Sequence, residues 1–389
     1  MDKNTELRSS LLYFVDEAIG FRKSVHHFHR WLETGEQSDL EALIIEIGRE
    51  NFVDLWPLLN FIKDDNHTDG LLALQQLRER GLYVPRSWAA DTIKLTPLPV
   101  NLFASENNII QSAANAWAFR DWVDSNKSVV DPLSVLGMQV QLLIDSKTDF
   151  FKVFELLDMF FRDTLLSCVT NTNINLLAQT ISTYYPDQQA HIKKLANAMS
   201  NSPDLNWKDA LSRNQIKSKL WLIKKLGEFK LVPKTRKVTE AETTTLIVGG
   251  WVGMIPFLST MLGTNLDTVI NVDIDTTVHS AAYDLNNNTH TAFRNSDSDI
   301  RTMDFKKYKK PLIIDTIVEH FENHGEWVST LPAGTIVILQ GNDMFDVPDH
   351  VNCHSSLEEF LAGCGLNTIL WSGELNLYKC TRYMAIGKV

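Results

Sequence analysis

The fold of this chain of 389 residues is decided by two segments, Thr245-Leu-Ile-Val-Gly-Gly-Trp-Val-Gly253 and Thr268-Val-Ile-Asn-Val-Asp-Ile-Asp275. Each begins with a β-branched run typical of a buried strand. The first run ends in three glycines and the second ends in carboxylates. Residues 252–262 between them have the composition of a helix. The predicted order is therefore strand, tight turn, helix, strand and acid, which is the start of a parallel α/β sheet.

The glycine turn and the carboxylates together indicate a nucleoside cofactor. Glycines let a backbone approach a ligand where a Cβ would collide, and the following helix points its positive N-terminal end at the turn. A carboxylate that ends the next strand can accept hydrogen bonds from ribose hydroxyls. The dinucleotide fingerprint G-x-G-x-x-G requires glycine at 249, 251 and 254, but the chain has Gly249, Trp251 and Met254 there. The pattern therefore does not favour a dinucleotide.

The glycine spacing resembles the first motif of class I S-adenosylmethionine (SAM)-dependent methyltransferases. Trp251 stands where the usual G-x-G-x-G has its central glycine. The G-G-W-x-G form also resembles a group of methyltransferase-like proteins of tailed bacteriophages. The resemblance covers residues 212–389 and implies SAM as the cofactor and a Rossmann-like sheet of seven strands.

From residue 245 onward, the apolar pattern predicts alternating strands and helices and hence a mainly parallel sheet. The predicted strands lie near 245–249, 268–272, 300–303, 311–315, 334–340, 366–372 and 378–387. The predicted helices lie near 252–262, 276–286, 321–331 and 355–363. The last two strands leave no room for a helix between them, so they must form an antiparallel hairpin.

The first half of the chain is predicted to be all-α. Apolar side chains alternate in steps of four and three along residues 7–32, which places them on one helical stripe. Ser38-x-x-Glu41 reads as a capping box at the start of the next helix. We therefore expect an all-α domain at 1–205 and a SAM-binding domain at 206–389. By the resemblance, the helix near 212–226 partly covers the cofactor pocket.

Composition and charge restrict the functional classes. Apolar residues make up 44% and charged residues 22%, as in ordinary globular proteins, and no apolar stretch is long enough to predict a membrane span. The net charge of −11 disfavours a nucleic-acid substrate, because such a substrate would be repelled electrostatically. Four cysteines without a C-x-x-C pair indicate reduced thiols. The sequence thus predicts a cytoplasmic protein, which would lie in the host cytoplasm if the source is viral. It does not determine the oligomeric state.

Several predicted strands end in small or polar residues, and the carboxyl ends of parallel strands are where ligands bind. By the resemblance, Asp273 accepts hydrogen bonds from the ribose, Ile274 packs on the adenine, and Asp304 accepts the adenine amino group. Asp275 is either a second candidate for the ribose or the cap of the next helix. The predicted cofactor-binding residues are Gly249, Gly250, Trp251, Gly253, Asp273, Ile274, Asp304, Phe305 and Asp315.

The predicted catalytic residues are Glu319 and His320, in the segment that follows the fourth strand. The chain lacks N-P-P-Y or D-P-P-Y at this place, which marks enzymes that methylate exocyclic amines of bases. It also lacks the Pro-Cys pair of cytosine-C5 enzymes. Its V-x-E-H resembles many small-molecule methyltransferases, in which either residue could take a proton from the acceptor. Alternatively, Glu319 caps a helix and His320 packs at the sheet edge.

The same segment also resembles metal-dependent enzymes that methylate small RNA 3′ ends. Those enzymes have a further glutamate where this chain has Thr316, and His350 or His354 could stand for their distal histidine. Because one ligand is missing, we expect no metal site. Gln340, Asn342 and Asp343 belong to the long polar segment that leaves the fifth strand and are candidates for the acceptor pocket.

These features predict a SAM-dependent methyltransferase that acts on an unidentified small-molecule or protein acceptor. One alternative is transfer of the aminocarboxypropyl arm of SAM, as in nicotianamine-synthase-like proteins. Another is a phage accessory or assembly protein in which a methyltransferase-like fold only binds a partner.

Overall fold

A computed structural model describes residues 3–20, 22–64, 150–154, 171–231, 243–264, 266–290, 292–308, 311–377 and 380–389. The chain divides into two compact units, Met1–Cys168 and Val169–Val389. Residues 65–149 and 155–170, which the sequence assigns to the helical half, lie outside the described residues. Among the described helices, none combines the length and the apolar character that a membrane crossing needs.

The described part of the first unit is helical, as predicted. Its helices are α1 (Lys3–Ile19), α2 (Arg22–Thr34), α3 (Gln37–Ile47) and α4 (Arg49–Asp64). They pack around an apolar core whose fully buried members include Leu11, Phe14, Phe28, Leu43 and Leu55.

Two local predictions in this unit are wrong. The single stripe over residues 7–32 is divided between α1 and α2, because Gly20 adopts φ 69° and donates its N–H to the Asp16 carbonyl at 2.9 Å. Such a left-handed glycine is a common way for a helix to end. The capping box at Ser38 does not form either, since Glu36 is the N-cap of α3 and Ser38 lies inside the helix.

The second unit is built on a seven-stranded mixed sheet. Its strands are β1 (Thr244–Val248), β2 (Thr268–Val272), β3 (Ala292–Ser296), β4 (Leu312–Asp315), β5 (Ile336–Asn342), β6 (Thr368–Leu377) and β7 (Cys380–Lys388). The order across the sheet is β3-β2-β1-β4-β5-β7-β6. The first five strands run parallel, and β7 pairs antiparallel with both β5 and β6. This confirms the predicted Rossmann-like sheet and its terminal hairpin.

The third strand is not where the sequence predicted it. Residues 300–303 lie in a turn, in which the Thr302 N–H donates to the Asp299 carbonyl at 3.1 Å. The strand is formed by Ala292–Ser296 at the edge of the sheet, where no residue is fully buried. An edge strand can be polar because only one side of its backbone is paired, so its sequence has no apolar signature.

Helices flank this sheet. They are α5 (Asn171–Tyr184), α6 (Gln189–Asn201), α7 (Trp207–Ala210), α8 (Arg213–Glu228), α9 (Met254–Met261), α10 (His279–Asn286), α11 (His324–Ser329) and α12 (Leu357–Gly363). Helix α6 packs against α10, where Asn201 Nδ2 donates to Asp284 Oδ2 at 2.8 Å. The boundary expected at 205/206 therefore falls inside the second unit, because α5 and α6 belong with the sheet.

Candidate functional site

The carboxyl ends of β1, β2, β4 and β5 open into one cavity of about 560 Å³. This volume lies within the range of small-molecule and cofactor sites, and the edge of the sheet is the one at which doubly wound folds bind ligands. The loop after β1 lines one end, and the segments after β4 and β5 line the other. Helix α8 and Arg382 of β7 complete the wall, so the predicted helix before the first strand does border the cavity.

The loop after β1 turns sharply through three left-handed residues. Gly249 has φ 60°, Trp251 has φ 47° and Gly253 has φ 75°. Trp251 thus adopts a conformation that favours glycine, and two hydrogen bonds hold it there. Its N–H donates to Asp273 Oδ2 at 2.8 Å, and its carbonyl accepts from Asn271 Nδ2 at 3.1 Å. The tryptophan at the place of the usual central glycine therefore keeps the tight turn.

The glycines are also required by the contacts beneath the loop. A Cβ at Gly249 would lie 2.1 Å from Cγ2 of Ile317, and one at Gly250 would lie 1.9 Å from Oδ1 of Asn271. Either distance is far below van der Waals contact, so the loop fits against its neighbours only without side chains at these positions.

Three asparagines support the loop from below and were missed by the sequence analysis. Asn271 is fully buried and also donates to Asn295 Oδ1 at 3.2 Å, and Asn286 Nδ2 donates to the Gly253 carbonyl at 3.0 Å. Burial of an amide needs hydrogen bonds to offset its desolvation. The sequence feature that could have revealed this support is Asn271 in Thr-Val-Ile-Asn-Val, a polar residue inside an otherwise apolar strand.

Asp273 lies at the end of β2 and lines the cavity, as predicted. Its Oδ2 accepts from Trp251 and its Oδ1 accepts from the Asp275 N–H at 3.0 Å. Each carboxylate oxygen can accept a further bond, so Asp273 can hold the loop and still bind a hydroxyl. Asp275 caps the following turn by accepting from the Thr277 N–H, which confirms its structural role. The side chain of Ile274 is exposed.

The remaining predicted cofactor residues do not line this cavity. Asp304 is exposed and caps a short 3-10 turn by accepting from the Lys306 N–H at 3.0 Å, well past the end of β3. Phe305 is buried in the core, edge to face with Trp327. Their predicted roles followed from the misplaced third strand, and the strand in fact ends at Ser296.

Asp315 is fully buried at the end of β4 and serves the fold. Its Oδ1 accepts from the Ile317 N–H at 2.9 Å, and its Oδ2 lies 3.0 Å from Nε2 of the buried His324. A buried carboxylate needs such partners, because desolvation otherwise disfavours its charge. The aspartate that the sequence placed among the cofactor residues thus anchors the segment that leads to Glu319.

Glu319 and His320 lie in a 3-10 turn, Val318–His320, and line the cavity. Glu319 is almost completely buried, and its Oε1 accepts from Arg382 Nη1 at 2.9 Å and from Asn342 Nδ2 at 2.5 Å. The carboxylate is therefore paired with a buried guanidinium instead of capping a helix. Sequence spacing gave no sign of Arg382, which is 63 residues away.

His320 and His350 lie together beside Glu319. Their rings are perpendicular with centroids 4.6 Å apart, and His320 Nδ1 lies 3.1 Å from the Asp349 carbonyl oxygen. Burial lowers the pKa of His350, and the neighbouring His320 adds to this, while the carboxylates of Glu319 and Asp349 oppose it. One carboxylate oxygen of Glu319 and one ring nitrogen of each histidine lie within 4.8 Å of one another, so the three residues can hold a metal ion.

Helix α8 contributes Ser218 and Lys219 to the wall of the cavity. Ser218 Oγ donates to Gln340 Oε1 at 3.2 Å, which ties the helix to the end of β5. Burial lowers the pKa of Lys219 to about 7, the Arg382 guanidinium adds to this, and Asp209 and Glu319 oppose it. The cavity therefore has a lysine that titrates near neutral pH, which the sequence analysis did not foresee.

The other polar residues predicted for the acceptor pocket do not all line the cavity. Gln340 lines the cavity. Asn342 lies behind Glu319, and Asp343 accepts from the Thr381 N–H at 2.8 Å, which supports the sheet. His354 is buried against the Phe360 ring, so it is His350 that the fold brings to Glu319.

No protein-family model and no curated protein sequence matches this chain. Similar solved structures include the N-methyltransferase NodS from Bradyrhizobium japonicum WM9, at 11% identity and a TM-score of 0.32 over 43% of this chain and 96% of NodS. Magnesium protoporphyrin IX methyltransferase from Synechocystis PCC 6803, with bound S-adenosylhomocysteine, has 11% identity and a TM-score of 0.34, covering 54% of this chain and 99% of that enzyme.

A third similar structure is a mutant of MtNAS in complex with S-adenosylmethionine. It has 12% identity and a TM-score of 0.32 and covers 66% of this chain and 96% of MtNAS. Scores this low carry no functional argument, and the strand order of the sheet defines the fold independently of them.

Proposed function

We propose that this chain is a SAM-dependent methyltransferase. The observation that carries the proposal is the single cavity that joins the glycine loop to the cluster of Glu319, His320 and His350. A cofactor held at the loop end and an acceptor held at the other end would share one cavity. A fold that only binds a partner has no need for buried charged groups at the floor of such a cavity.

The loop end has the groups that a nucleoside cofactor requires. The backbone at Gly249 and Gly250 is free of side chains and borders the cavity. Asp273 faces the same space and retains lone pairs for ribose hydroxyls. When bound, SAM supplies a methyl group on a positively charged sulfur that departs as a neutral thioether. The chain therefore has to position the acceptor in line with that methyl group, and positioning can account for most of the acceleration.

The part of the cavity formed by Glu319, His320 and His350, which we call the reaction end, can take the proton that the acceptor loses. A carbonyl oxygen only accepts hydrogen bonds, so the Nδ1 of His320 that faces the Asp349 carbonyl carries a hydrogen. The lone pair of His320 then lies on Nε2, which makes His320 a suitable general base. Glu319 and Arg382 form a fixed charged pair beside it. The acceptor is accordingly a small molecule or a protein side chain with a hydroxyl or amine.

Calorimetry and thermal shift with SAM and S-adenosylhomocysteine test the cofactor. We expect binding to the full chain and at least about tenfold weaker binding to Asp273→Ala, since a partner of the ribose and of the loop is lost. Asp275→Ala is the matched control, because it removes a carboxylate two residues away that only caps a turn. It should lower the melting temperature slightly and leave the affinity for SAM unchanged.

Product analysis then identifies the reaction. S-adenosylhomocysteine among the products supports methyl transfer, and methylthioadenosine would instead indicate transfer of the aminocarboxypropyl arm. No heat and no thermal shift with millimolar SAM would refute the proposal. NADH should give neither signal in the same assay.

A further inference from the structure

Glu319, His320 and His350 reach one point of the cavity from two separate segments. The first two follow β4, and His350 lies in the long segment between β5 and α12. One oxygen of Glu319 and one nitrogen of each imidazole lie within 4.8 Å of one another. Two imidazoles and a carboxylate are a ligand set suited to divalent transition metals.

The carboxylate of Glu319 is only half satisfied within the described part of the chain. Its Oε1 accepts from Arg382 and Asn342, while its buried Oε2 has no hydrogen-bond partner there. The side chain is 5% exposed. A buried carboxylate oxygen without a partner is costly, so Oε2 of Glu319 is available to a ligand in the cavity.

The surrounding residues orient these groups as outer-shell partners orient metal ligands. The Asp349 carbonyl holds the Nδ1–H of His320 and directs the free Nε2 away from itself. His350 Nδ1 lies 3.8 Å from Cys353 Sγ, and the ring is also hydrogen-bonded to the Met344 backbone. Arg382 and Asn342 fix the carboxylate of Glu319. Such partners set both the tautomer and the direction of a ligand.

We infer that Glu319, His320 and His350 bind one divalent transition-metal ion in the cavity. Three protein ligands leave coordination positions open toward the space where the acceptor would lie. A hydroxyl bound there would lose its proton to solvent at lower pH, because a bound cation lowers the pKa of an oxygen ligand. His320 would then be a ligand and not the base. This last step rests on the proposed methyl transfer, whereas metal binding itself does not.

The test uses the full chain without a histidine tag, stripped with a chelator and titrated with Co²⁺ and Zn²⁺. We expect one ion per chain, with visible absorption bands for Co²⁺, and much weaker binding of Mg²⁺, which prefers oxygen ligands. Glu319→Gln and His350→Ala should lose more affinity than the about 10–100-fold typical of outer-shell changes. Asn342→Ala should fall within that range. His26→Ala, at an exposed histidine of α2, is the control and should bind as the wild type does.

The outcomes separate this inference from the proposed function, because SAM binding is measured on the chelator-treated protein. SAM binding without stoichiometric metal overturns the metal site and leaves His320 as the base. Metal binding that both His350→Ala and Glu319→Gln leave unchanged places the ion elsewhere and also overturns the inference. If Glu319→Gln does not fold because Arg382 loses its partner, metal binding by His350→Ala still tests the inference, since His350 is only half-buried. Metal binding with no affinity for SAM supports the site and refutes the methyltransferase.

Discussion

The two ends of the cavity are built in different ways. The loop end consists of backbone, in which glycines and a left-handed Trp251 follow one another within five residues and Asp273 closes the turn. The reaction end consists of charged side chains drawn from distant places, since Glu319 pairs with Arg382 and lies beside His350. The loop end depends on shape and the reaction end depends on charge balance. They should therefore respond to substitution in different ways.

The largest effect is expected where charge balance is broken. In Arg382→Met the buried Glu319 loses its cation, so the free energy of unfolding should fall by about 3–5 kcal/mol. Denaturant unfolding of the wild type and the variant measures this. The double variant Glu319→Gln with Arg382→Met removes both charges and should be more stable than Arg382→Met alone. Additive losses would show that the two residues are not coupled.

At the loop end, the corresponding test concerns shape. Gly249→Ala and Gly263→Ala both place alanine at a positive φ, which is 60° at residue 249 and 69° at residue 263. The added Cβ meets a neighbour only at residue 249, because nothing lies within 4 Å of it at residue 263. Gly263→Ala should cost about 1–2 kcal/mol from its conformation alone. Gly249→Ala should cost about 1–3 kcal/mol more from overpacking against Ile317. Equal losses of stability would contradict the contact beneath the loop.

A smaller effect is expected from Lys219, and it depends on pH. The pKa of Lys219 is about 7 in the folded chain against a usual value of 10.5, so the unfolded chain binds its proton more tightly. Stability should therefore rise with pH between about 7 and 10.5, and the burial of the charge costs most below pH 7. Lys219→Met should be stabilised relative to the wild type at pH 6, and this gain should shrink toward pH 10.

The exposed Lys224 of the same helix is the control for that experiment. Lys224→Met removes an exposed charge from the same helix and should not reproduce the gain at pH 6 that Lys219→Met shows. A difference for Lys219→Met that does not change with pH would show that Lys219 keeps an ordinary pKa, and the reaction end would then have no lysine that titrates near neutral pH.

The smallest effect is expected at Asp304, which the sequence assigned to the adenine. Because it is exposed and caps a short turn, Asp304→Ala should lower the free energy of unfolding by about 0.5–2 kcal/mol. Affinity for SAM should stay within the error of calorimetry. A loss of affinity comparable to that of Asp273→Ala would restore Asp304 to the cofactor site and extend the loop end to the segment after β3.

Most of the sheet could be predicted because its central strands are buried on both faces and so are continuously apolar. Ala292–Ser296 could not, since its strand conformation depends on pairing with β2 and not on apolar side chains. Asp304 and Phe305, which the sequence placed at the end of this strand, lie outside the cavity lining. Asp315 was placed correctly at a strand end, but its burial against His324 was not visible from spacing.

The sequence by itself determined the elements whose cause is local: the glycine turn, the apolar strands of the parallel sheet, the closing hairpin, and the acid that ends β2. Only the tertiary structure decided how the reaction end is assembled. It joined Glu319 to Arg382 and His350, buried Asp315, and placed Lys219 in the same cavity. The physical reason is range, because conformational preferences act over a few residues, whereas charge pairing and desolvation depend on which distant residues the fold brings together.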